Sequence, residues 1–335
     1  MKKRIAAFLT ALTMLLCLVA CTARADSVSM PEEATEEVTE APTEAPTEAP
    51  VQRPEFDPYA TENIYKLSAR LTEKQDDVDY GTVEEDVKYY SETAGDYKYC
   101  NVLLPPGYDK KKTYPVLYML HGWGSGYDVH LRTDSYLHIL YCNMLHEKRT
   151  VPMIIVGVEM YTDKLKYKEK IEEKDETLLA AYNKVVKDIP HDLMPFIEKH
   201  YPVRTDREGT AIMGVSQGGT KALATGFENL ERFGYIASFA PDPGSVPTNF
   251  LKDTIWNAPL LKDSFPPYHE SLEPYYLYLA VGSEDPENVE VTKHYGELLA
   301  RMGYRNRTDV AKGYEHDYIF WRVGFYNFMN KIFRP

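Results

Sequence analysis

The sequence is short of cysteine, tryptophan and positive charge. Its 335 residues include four cysteines and three tryptophans, and 38 lysines and arginines stand against 51 aspartates and glutamates, for a formal net charge of -13. So acidic a surface repels phosphate backbones, and we expect no nucleic-acid partner. Cys100 and Cys142 lie in the body of the chain. Whether they pair or remain two buried thiols stays open at this point.

The chain also lacks an apolar run long enough to span a membrane as a helix. Its longest such run, IAAFLTALTMLLCLVA at 5–20, is shorter than the roughly 20 residues a spanning helix needs. It follows three basic residues and ends in LVAC, which resembles a bacterial lipoprotein cleavage box. We therefore predict a signal peptide over 1–20 and a lipidated Cys21 that anchors the protein to the outer side of the cell membrane. An ordinary secretory signal is the alternative, and it also places the protein outside the cytoplasm.

Large apolar residues are nearly absent from 21–56, where a Thr-Glu-Ala-Pro unit repeats. Such a composition cannot offset the entropy lost on ordering, so we predict a disordered tether. Proline and self-repelling carboxylates extend it, and at about 3 Å per residue it reaches roughly 100 Å. One folded domain is expected over 57–335.

Within that domain, apolar stretches alternate with helix-like ones, which predicts an α/β fold with a mostly parallel central sheet and helices on both faces. An antiparallel pair is predicted first, at 83–91 and 97–105. Six further strands are predicted at 114–120, 152–158, 210–214, 235–240, 275–281 and 306–311. Helices are predicted at 134–148, 178–200, 217–228, 288–302 and from about Ile319. Two insertions interrupt this scheme, at 159–177 and 242–272.

The most informative motif is GVSQGG at 214–219. It fits G-x-S-x-G directly after a predicted strand and directly before a predicted helix, the context of a nucleophile elbow. At such a turn the serine adopts a strained backbone, and neighbours without a Cβ let strand and helix approach closely. Ser216 is therefore the candidate nucleophile, and a glycine-rich loop is the alternative.

A serine hydroxyl needs a base to accept its proton. In this architecture the chain order is serine, acid, histidine, and the histidines after Ser216 are His269, His294 and His316. The first lies in a proline-rich insertion and the second inside a predicted helix. His316 follows the last predicted strand, at the sheet edge where Ser216 should emerge, so we predict His316 as the base.

The base in turn needs a carboxylate to orient it. Asp285 follows the strand predicted at 275–281 and is the preferred acid. Glu284 is the second choice and Asp242, after another strand, the third. The alternative interpretation of Asp285 is a cap of the following helix.

The developing oxyanion needs hydrogen-bond donors. In α/β-hydrolases these are the backbone N–H after the nucleophile and one from the loop after an early strand. Here they are Gln217 and, in LHGWGSG at 120–126, Trp123. Each such donor contributes roughly 3 kcal/mol of transition-state stabilisation.

Six segments carry a family resemblance: LLPPGYD (103–109), YPVLYMLHGWG (114–124), DLMPFIEKHYPVRTDRE (192–208), AIMGVSQGG (211–219), VGSED (281–285) and GYEHDYIFW (313–321). With them, residues from about 80 to 333 resemble carbohydrate esterase family 1, the α/β-hydrolase family of feruloyl and acetyl xylan esterases, whose relatives include esterase D and the enterochelin esterases. The resemblance implies an α/β-hydrolase fold with Ser216, Asp285 and His316 as catalytic triad. This agrees with the assignments from position.

Two residues depart from the family pattern. Gln217 stands where these esterases commonly carry methionine, and Glu315 stands where many have glycine. Only the backbone N–H is required at 217, so catalysis should survive. We expect a more polar rim of the acyl pocket, and substrate identity is left in doubt.

We therefore predict an extracytoplasmic, lipid-anchored serine esterase without cofactor or metal. The resemblance implies that it removes feruloyl or acetyl groups from plant polysaccharides or their oligosaccharides. Fold alone does not decide the acceptor, so an acyltransferase or a siderophore esterase is an alternative. A non-catalytic, glycan-binding lipoprotein is the alternative from another class.

Two weaker patterns remain. In the second insertion Phe250, Trp256 and Tyr268 are candidates for a substrate-binding lid, with an inert surface excursion as the alternative. His138, Cys142 and His146 share one face of a predicted helix at metal-ligand spacing, but that helix also buries apolar residues and no fourth ligand is apparent, so no metal is expected.

Overall fold

The computed structural model describes residues 55–164, 176–250 and 254–335. All of them belong to one compact unit, Val51–Pro335. The predicted signal peptide, Cys21 and nearly all of the predicted tether lie outside the described residues. Among the described residues, no helix combines the length and the apolar character needed to cross a membrane.

A single sheet of eight strands organises the unit, in the order β1-β2-β4-β3-β5-β6-β7-β8. The strands are β1 Thr82–Ser91, β2 Asp96–Leu104, β3 Val116–Leu120, β4 Ile154–Val158, β5 Thr210–Val215, β6 Tyr235–Phe239, β7 Tyr276–Gly282 and β8 Arg307–Ala311. The β1–β2 and β2–β4 pairs are antiparallel, and all pairs from β4 to β8 are parallel. The predicted fold class and all eight predicted strands are confirmed.

The five central strands, β3 to β7, are buried at every position. Parallel strands covered on both faces have near-continuous apolar sequences, and for this reason runs such as TAIMGV identify them. β1 and β8 lie at the two ends of the sheet and are partly exposed.

Helices cover both faces of the sheet. They are α1 Ala69–Thr72, α2 Tyr136–His146, α3 Glu176–Asn183, α4 Val185–Asp188, α5 Met194–His200, α6 Gln217–Glu228, α7 Pro286–Arg301 and α8 Tyr318–Met329. One apolar layer contains side chains of α3 to α7, and the other contains those of α2 and α8. Cys100 belongs to the first layer and Cys142 to the second, and both thiols are free because the sheet separates them.

The helix predicted over 178–200 is present, but its hydrogen-bonding pattern is not α-helical throughout. It consists of α3, α4 and α5 with a π-helical turn, Ile189–Leu193, between the last two. Pro190 and Pro195 lie at the starts of the π turn and of α5. Because proline lacks the backbone N–H, each removes an i to i−4 hydrogen bond, and the helical register changes there.

An N-terminal arm, residues 56–67, packs along β8 and α8, which the sequence analysis did not anticipate. The Tyr59 hydroxyl donates to the Arg305 carbonyl at 2.7 Å and accepts from the Leu277 N–H at 2.9 Å. The Tyr65 hydroxyl donates to Asp309 Oδ2 at 2.6 Å. The arm therefore belongs to the folded unit and contacts the strand at one end of the sheet.

The parallel arrangement also positions the candidate site. The carboxyl ends of β3, β5, β6, β7 and β8 lie at one edge of the sheet, so the loops that follow these five strands emerge side by side.

Candidate active site

Ser216 lies in a sharp turn between β5 and α6. Its backbone has φ 53° and ψ -126°, and its N–H donates to the Phe239 carbonyl at 2.8 Å. A Cβ on Gly214 would lie 2.2 Å from the Gly218 oxygen, and one on Gly218 would lie 2.3 Å from the His121 oxygen. Side chains at either position would collide with backbone, so the flanking glycines are what allow the bend. The strained turn expected from the motif is present.

His316 and Asp285 meet at the same edge of the sheet. His316 Nδ1 lies 2.6 Å from Asp285 Oδ2, and the carboxylate is more buried than the ring, at 11% against 38% exposure. The Trp321 indole packs edge-on against the imidazole at 4.9 Å. This contact pattern orients the ring with Nδ1 towards the acid, which leaves Nε2 for proton transfer.

The alternatives for the acid are distinguished by their contacts. Asp285 makes no side-chain hydrogen bond to the first turn of α7, so helix capping does not account for its carboxylate. Glu284 is exposed and accepts from the Ser283 hydroxyl at 2.8 Å. Of the two acids, Asp285 is therefore the one that contacts His316.

Asp242 contacts the nucleophile itself. The Ser216 hydroxyl donates to Asp242 Oδ2 at 3.2 Å, and within the described residues this carboxylate, not His316, is its acceptor. A serine carries one hydroxyl proton, so transfer to His316 requires this hydrogen bond to break first. Sequence reasoning ranked Asp242 third as the acid, and the structure places it beside the serine instead of the histidine.

The Gln217 side chain lies behind Asp242, not at a pocket rim. It has 0% exposure, its Nε2 donates to Asp242 Oδ2 at 2.9 Å, and its Oε1 accepts from the Lys221 ammonium. The expectation that Gln217 makes the acyl pocket rim more polar is therefore wrong, because the start of α6 directs this side chain into the interior. In the sequence, the contact between Gln217 and Lys221 is indicated only by their spacing, since residues four apart in a helix lie on the same face.

Burial shifts the pKa values of Lys221 and Asp242. It lowers the pKa of Lys221 from 10.5 to about 7, and the charge of Asp242 partly opposes that shift. Burial also raises the pKa of Asp242, while the Gln217 hydrogen bond and the charges of His316 and Lys221 lower it. The charge of His316 thus contributes to the pKa of Asp242.

The start of α6 and the loop after β3 both adjoin Ser216. Gln217 is the first residue of α6, where N–H groups have no partner within the helix. The loop after β3 lies beside the serine, since a Cβ on Gly122 would be 3.6 Å from the Ser216 Cβ. Trp123 follows in that loop. Gln217 and Trp123 as oxyanion donors stay a prediction.

Aromatic side chains cluster next to this loop. The Trp123 ring lies 4.7 Å from the Tyr182 ring and 4.7 Å, edge-on, from Trp256, which is 9% exposed. The second insertion therefore brings Trp256 to the carboxyl edge of the sheet.

The other two lid candidates of the insertion lie elsewhere. Phe250 packs against His294 of α7 at 5.3 Å. Tyr268 packs against Tyr304 at 5.4 Å, just before β8 begins, and so lies towards the amino-terminal edge. The structure does not bring Tyr268 to Ser216.

The potential metal ligands on α2 have other partners. His138 Nε2 lies 2.6 Å from the Tyr80 carbonyl, to which the Cys142 thiol also donates, and His146 lies 3.7 Å from Asp77. The described part of the chain contains no group of three or more histidine, cysteine, aspartate or glutamate side chains that could hold a metal ion.

The Esterase family model matches residues 91–328. The chain belongs to this esterase family. The matched range contains Ser216, Asp285 and His316, and it begins at the end of β1 and ends in α8.

Two curated esterases are similar to part of the chain. An endo-1,4-beta-xylanase/feruloyl esterase of Xylanibacter ruminicola is 25% identical over 255 residues, which are 73% of this chain and 30% of that protein. An iron(III) salmochelin esterase of Escherichia coli O6:H1 is 28% identical over 188 residues, or 53% of this chain and 42% of that protein. The chain thus spans less than half the length of these relatives.

Solved structures agree with the fold. A ferulic acid esterase of carbohydrate esterase family 1 from the anaerobic fungus Anaeromyces mucronatus, in complex with ferulic acid, is 29% identical with a TM-score of 0.72, covering 82% of this chain and 98% of that one. The feruloyl esterase module from Clostridium thermocellum has a TM-score of 0.59 at 17% identity, covering 84% and 96%, and shows the fold alone.

Proposed function

We propose that this esterase is a serine carboxylic-ester hydrolase that removes feruloyl or acetyl groups from plant polysaccharides or their oligosaccharides. The observation that carries the proposal is the 2.6 Å contact between His316 and Asp285 at the sheet edge where the Ser216 turn emerges. The similarity to feruloyl esterases over most of the chain supports the substrate class.

The proposed mechanism uses the three side chains in sequence. Ser216 Oγ attacks the ester carbonyl carbon while His316 Nε2 takes its proton, and Asp285 stabilises the imidazolium. The N–H groups of Trp123 and Gln217 bind the oxyanion. His316 returns the proton to the leaving alcohol, and water then attacks the acyl-enzyme by the same route to release the acid.

The aromatic cluster supports an aromatic acyl group. Trp123, Trp256 and Tyr182 lie beside the loop that adjoins Ser216, and stacked or edge-on aromatic contacts favour a planar ring such as ferulate. An acetyl group gains none of these contacts, so the feruloyl ester is the preferred substrate of this proposal.

The proposed location is outside the cytoplasm, with a lipid on Cys21 as the membrane anchor. The support comes from the sequence alone: the basic start, the short apolar run and the LVAC segment. An anchored enzyme outside the membrane suits substrates too large to import. Metabolic labelling with a fatty-acid probe, compared between wild type and Cys21→Ser, tests the anchor.

Two measurements test the catalytic proposal. A fluorophosphonate probe should label the folded wild type and not Ser216→Ala. Turnover of methyl ferulate should exceed that of an acetylated xylan oligomer, and Ser216→Ala should abolish both. Equal rates for wild type and Ser216→Ala would remove Ser216 from the mechanism. No turnover of either ester by the folded wild type would instead favour capture of glycans without hydrolysis.

A siderophore esterase is the second candidate, because the iron(III) salmochelin esterase is among the similar proteins. Including iron(III) salmochelin in the same assay separates the two. Ser216-dependent hydrolysis of that substrate with none of methyl ferulate would favour the second candidate.

A further inference from the structure

We propose that Tyr318 and Arg322, at the start of α8 beside His316, form the subsite for the alcohol part of the ester and select an oligosaccharide that carries a carboxylate, that is, a uronic acid. The inference rests on the proposed function, because it assigns a surface to the leaving alcohol of that reaction. It adds the charge of the sugar chain to the proposed substrate class.

The position of the alcohol follows from the proton that it receives. In the proposed mechanism His316 Nε2 protonates the leaving oxygen, which must therefore lie within hydrogen-bond reach of the imidazole, at about 2.6–3.2 Å. The sugar is bonded to that oxygen. The protein surface next to His316 is therefore the surface that contacts the alcohol part of the substrate.

The acyl and alcohol parts have different surroundings. Trp123 and Tyr182, which the proposed function places against the acyl group, pack with the apolar layer of α3 to α7 on one face of the sheet. The Trp321 indole, in contact with His316, belongs to the layer of α2 and α8 on the other face. A substrate with its acyl group in the first layer and its leaving oxygen at His316 therefore directs its sugar towards α2 and α8.

These two helices both begin at the edge of the sheet that carries the catalytic side chains. α2 starts at Tyr136 and returns the chain from the end of β3 to the start of the parallel strand β4, and α8 starts at Tyr318 after the end of β8. Tyr318 follows His316 by two residues, so their Cα atoms are at most about 7.6 Å apart. Its side chain is 52% exposed and its ring lies 6.3 Å from the Tyr136 ring. Tyr318 thus offers a sugar both an apolar ring face and a hydroxyl.

Arg322 supplies positive charge to this surface. It lies one helical turn after Tyr318, and its guanidinium is 5.2 Å from the Tyr318 ring and 5.7 Å from the Tyr136 ring, so two cation–π contacts fix its position. Within the described residues Arg322 makes no hydrogen bond and no ion pair, and its buried Nε has no partner. The guanidinium therefore retains N–H donors in the fork geometry that suits a carboxylate.

The acids nearest to this surface in the chain do not pair with Arg322. Asp317 caps α8 by accepting from two backbone N–H groups of its first turn, at 2.9 and 3.1 Å. Asp134, two residues before α2, pairs with Lys74 at 2.6 Å. Glu315 is exposed. In a chain with a formal net charge of -13, an arginine without an acidic partner beside the catalytic base favours an anionic ligand.

The experiment measures kcat/KM on two matched oligosaccharide esters. One is a feruloylated oligosaccharide with a glucuronate on the sugar next to the ester, and the other has glucose in place of the glucuronate. At low salt we expect wild type to prefer the glucuronate form about tenfold. Arg322→Met should abolish the preference, and Arg322→Lys should keep part of it, because the charge remains and the fork is lost. Tyr318→Ala should lower kcat/KM for both oligosaccharides about fivefold.

Controls separate this subsite from the rest of the enzyme. Methyl ferulate carries no sugar, so it reports the acyl side and the folded catalytic site in each variant. Arg301→Met removes a cation that is 61% exposed at the last residue of α7, towards the opposite edge of the sheet. Tyr97→Ala removes a tyrosine that is 55% exposed in β2. Neither control should change the preference for the glucuronate form.

Equal kcat/KM for the two oligosaccharides in wild type would refute the carboxylate, and a preference that survives in Arg322→Met would refute the assignment to Arg322. A Tyr318→Ala enzyme as active as wild type on both oligosaccharides would remove Tyr318 from the subsite.

Wild type alone decides the matter if Arg322→Met also slows methyl ferulate and has therefore disturbed the catalytic site. Raising NaCl from about 20 mM to about 500 mM should then reduce the glucuronate preference severalfold, because salt screens the attraction between the two charges. A preference that salt leaves unchanged would overturn the proposal. Failure of the proposed function looks different: neither methyl ferulate nor either oligosaccharide is then hydrolysed in a Ser216-dependent way.

Discussion

His130 should make the folded unit sensitive to acid. It is 6% exposed, its ring packs edge-on against Phe325 at 5.9 Å, and its Nδ1 is hydrogen-bonded to the Tyr136 hydroxyl. Nε2 is buried and has no partner among the described residues. Burial, and to a smaller extent the charge of His121, lowers the pKa of His130 from 6.5 to about 3.

The sign of the effect follows from proton binding. Between pH 6.5 and 3 the unfolded chain protonates this imidazole and the folded protein does not. The contribution of neutral His130 to the free energy of unfolding is therefore complete above pH 6.5 and is lost as the pH falls towards 3. At about pH 4.5 the loss from this one group is about 2.7 kcal/mol, from about two pH units at 1.36 kcal/mol each.

The assay is urea unfolding at about pH 7.5 and pH 4.5, in wild type and in His130→Gln, which keeps a hydrogen-bond acceptor near Tyr136. Other groups also titrate over this range, so the quantity to compare is the pH-dependent loss of unfolding free energy in each protein. We expect it to be about 2.7 kcal/mol smaller in His130→Gln. The exposed His269→Gln serves as control and should behave as wild type. An equal loss in wild type and His130→Gln would refute the reasoning.

Three further predictions concern packing and specificity. Gly218→Ala should destabilise by about 1–3 kcal/mol or more in urea unfolding, since its Cβ would lie 2.3 Å from a backbone oxygen, whereas Gly122→Ala meets nothing nearer than 3.6 Å and should cost less than about 1 kcal/mol. Lys98→Met should cost about 3–5 kcal/mol, because it leaves Asp188, 0% exposed and now 2.6 Å from the ammonium, as an unpaired buried charge. Trp256→Ala should raise KM for methyl ferulate roughly tenfold and leave that for methyl acetate nearly unchanged, since the proposal places an aromatic acyl group, and not an acetyl group, against the indole.

Matched controls decide these outcomes. Lys184 is 44% exposed in its pair with Asp163, so Lys184→Met should cost at most about 1 kcal/mol, and a similar cost for Lys98→Met would contradict the buried-charge argument. Tyr268→Ala, at the other edge of the sheet, should not change KM for either ester. Equal losses of stability in the two glycine variants would show that backbone overlap does not control this turn.

Much of the fold was predictable because its signals are local. Five central strands are buried on both faces, and that environment selects continuous apolar runs that can be located without coordinates. The elbow is equally local, since the glycines and the serine of one six-residue stretch create both the strain and the space for it. The helix predicted over 178–200 is present as α3, α4 and α5, and its π-helical turn also has a local cause, since Pro190 and Pro195 lie at the starts of that turn and of α5.

Contacts between segments that are distant in the chain were harder to predict from the sequence. The arm at 56–67 reaches β8 across more than 240 residues of chain, and no local pattern marks that contact. Tyr268 and Trp256 belong to one insertion, yet they lie at opposite edges of the sheet because each packs against a different neighbour.

The amino-acid sequence by itself determined the order of strands and helices, the bend at Ser216 and the small set of acids and histidines that can serve it, since these depend on residue type and short-range periodicity. Only the tertiary structure decided that Asp285 faces His316 while Asp242 faces Ser216, and that Gln217 lies inside the protein next to Lys221. The physical reason is that three strand ends and one helix start must be packed together before the direction of any of these side chains is defined.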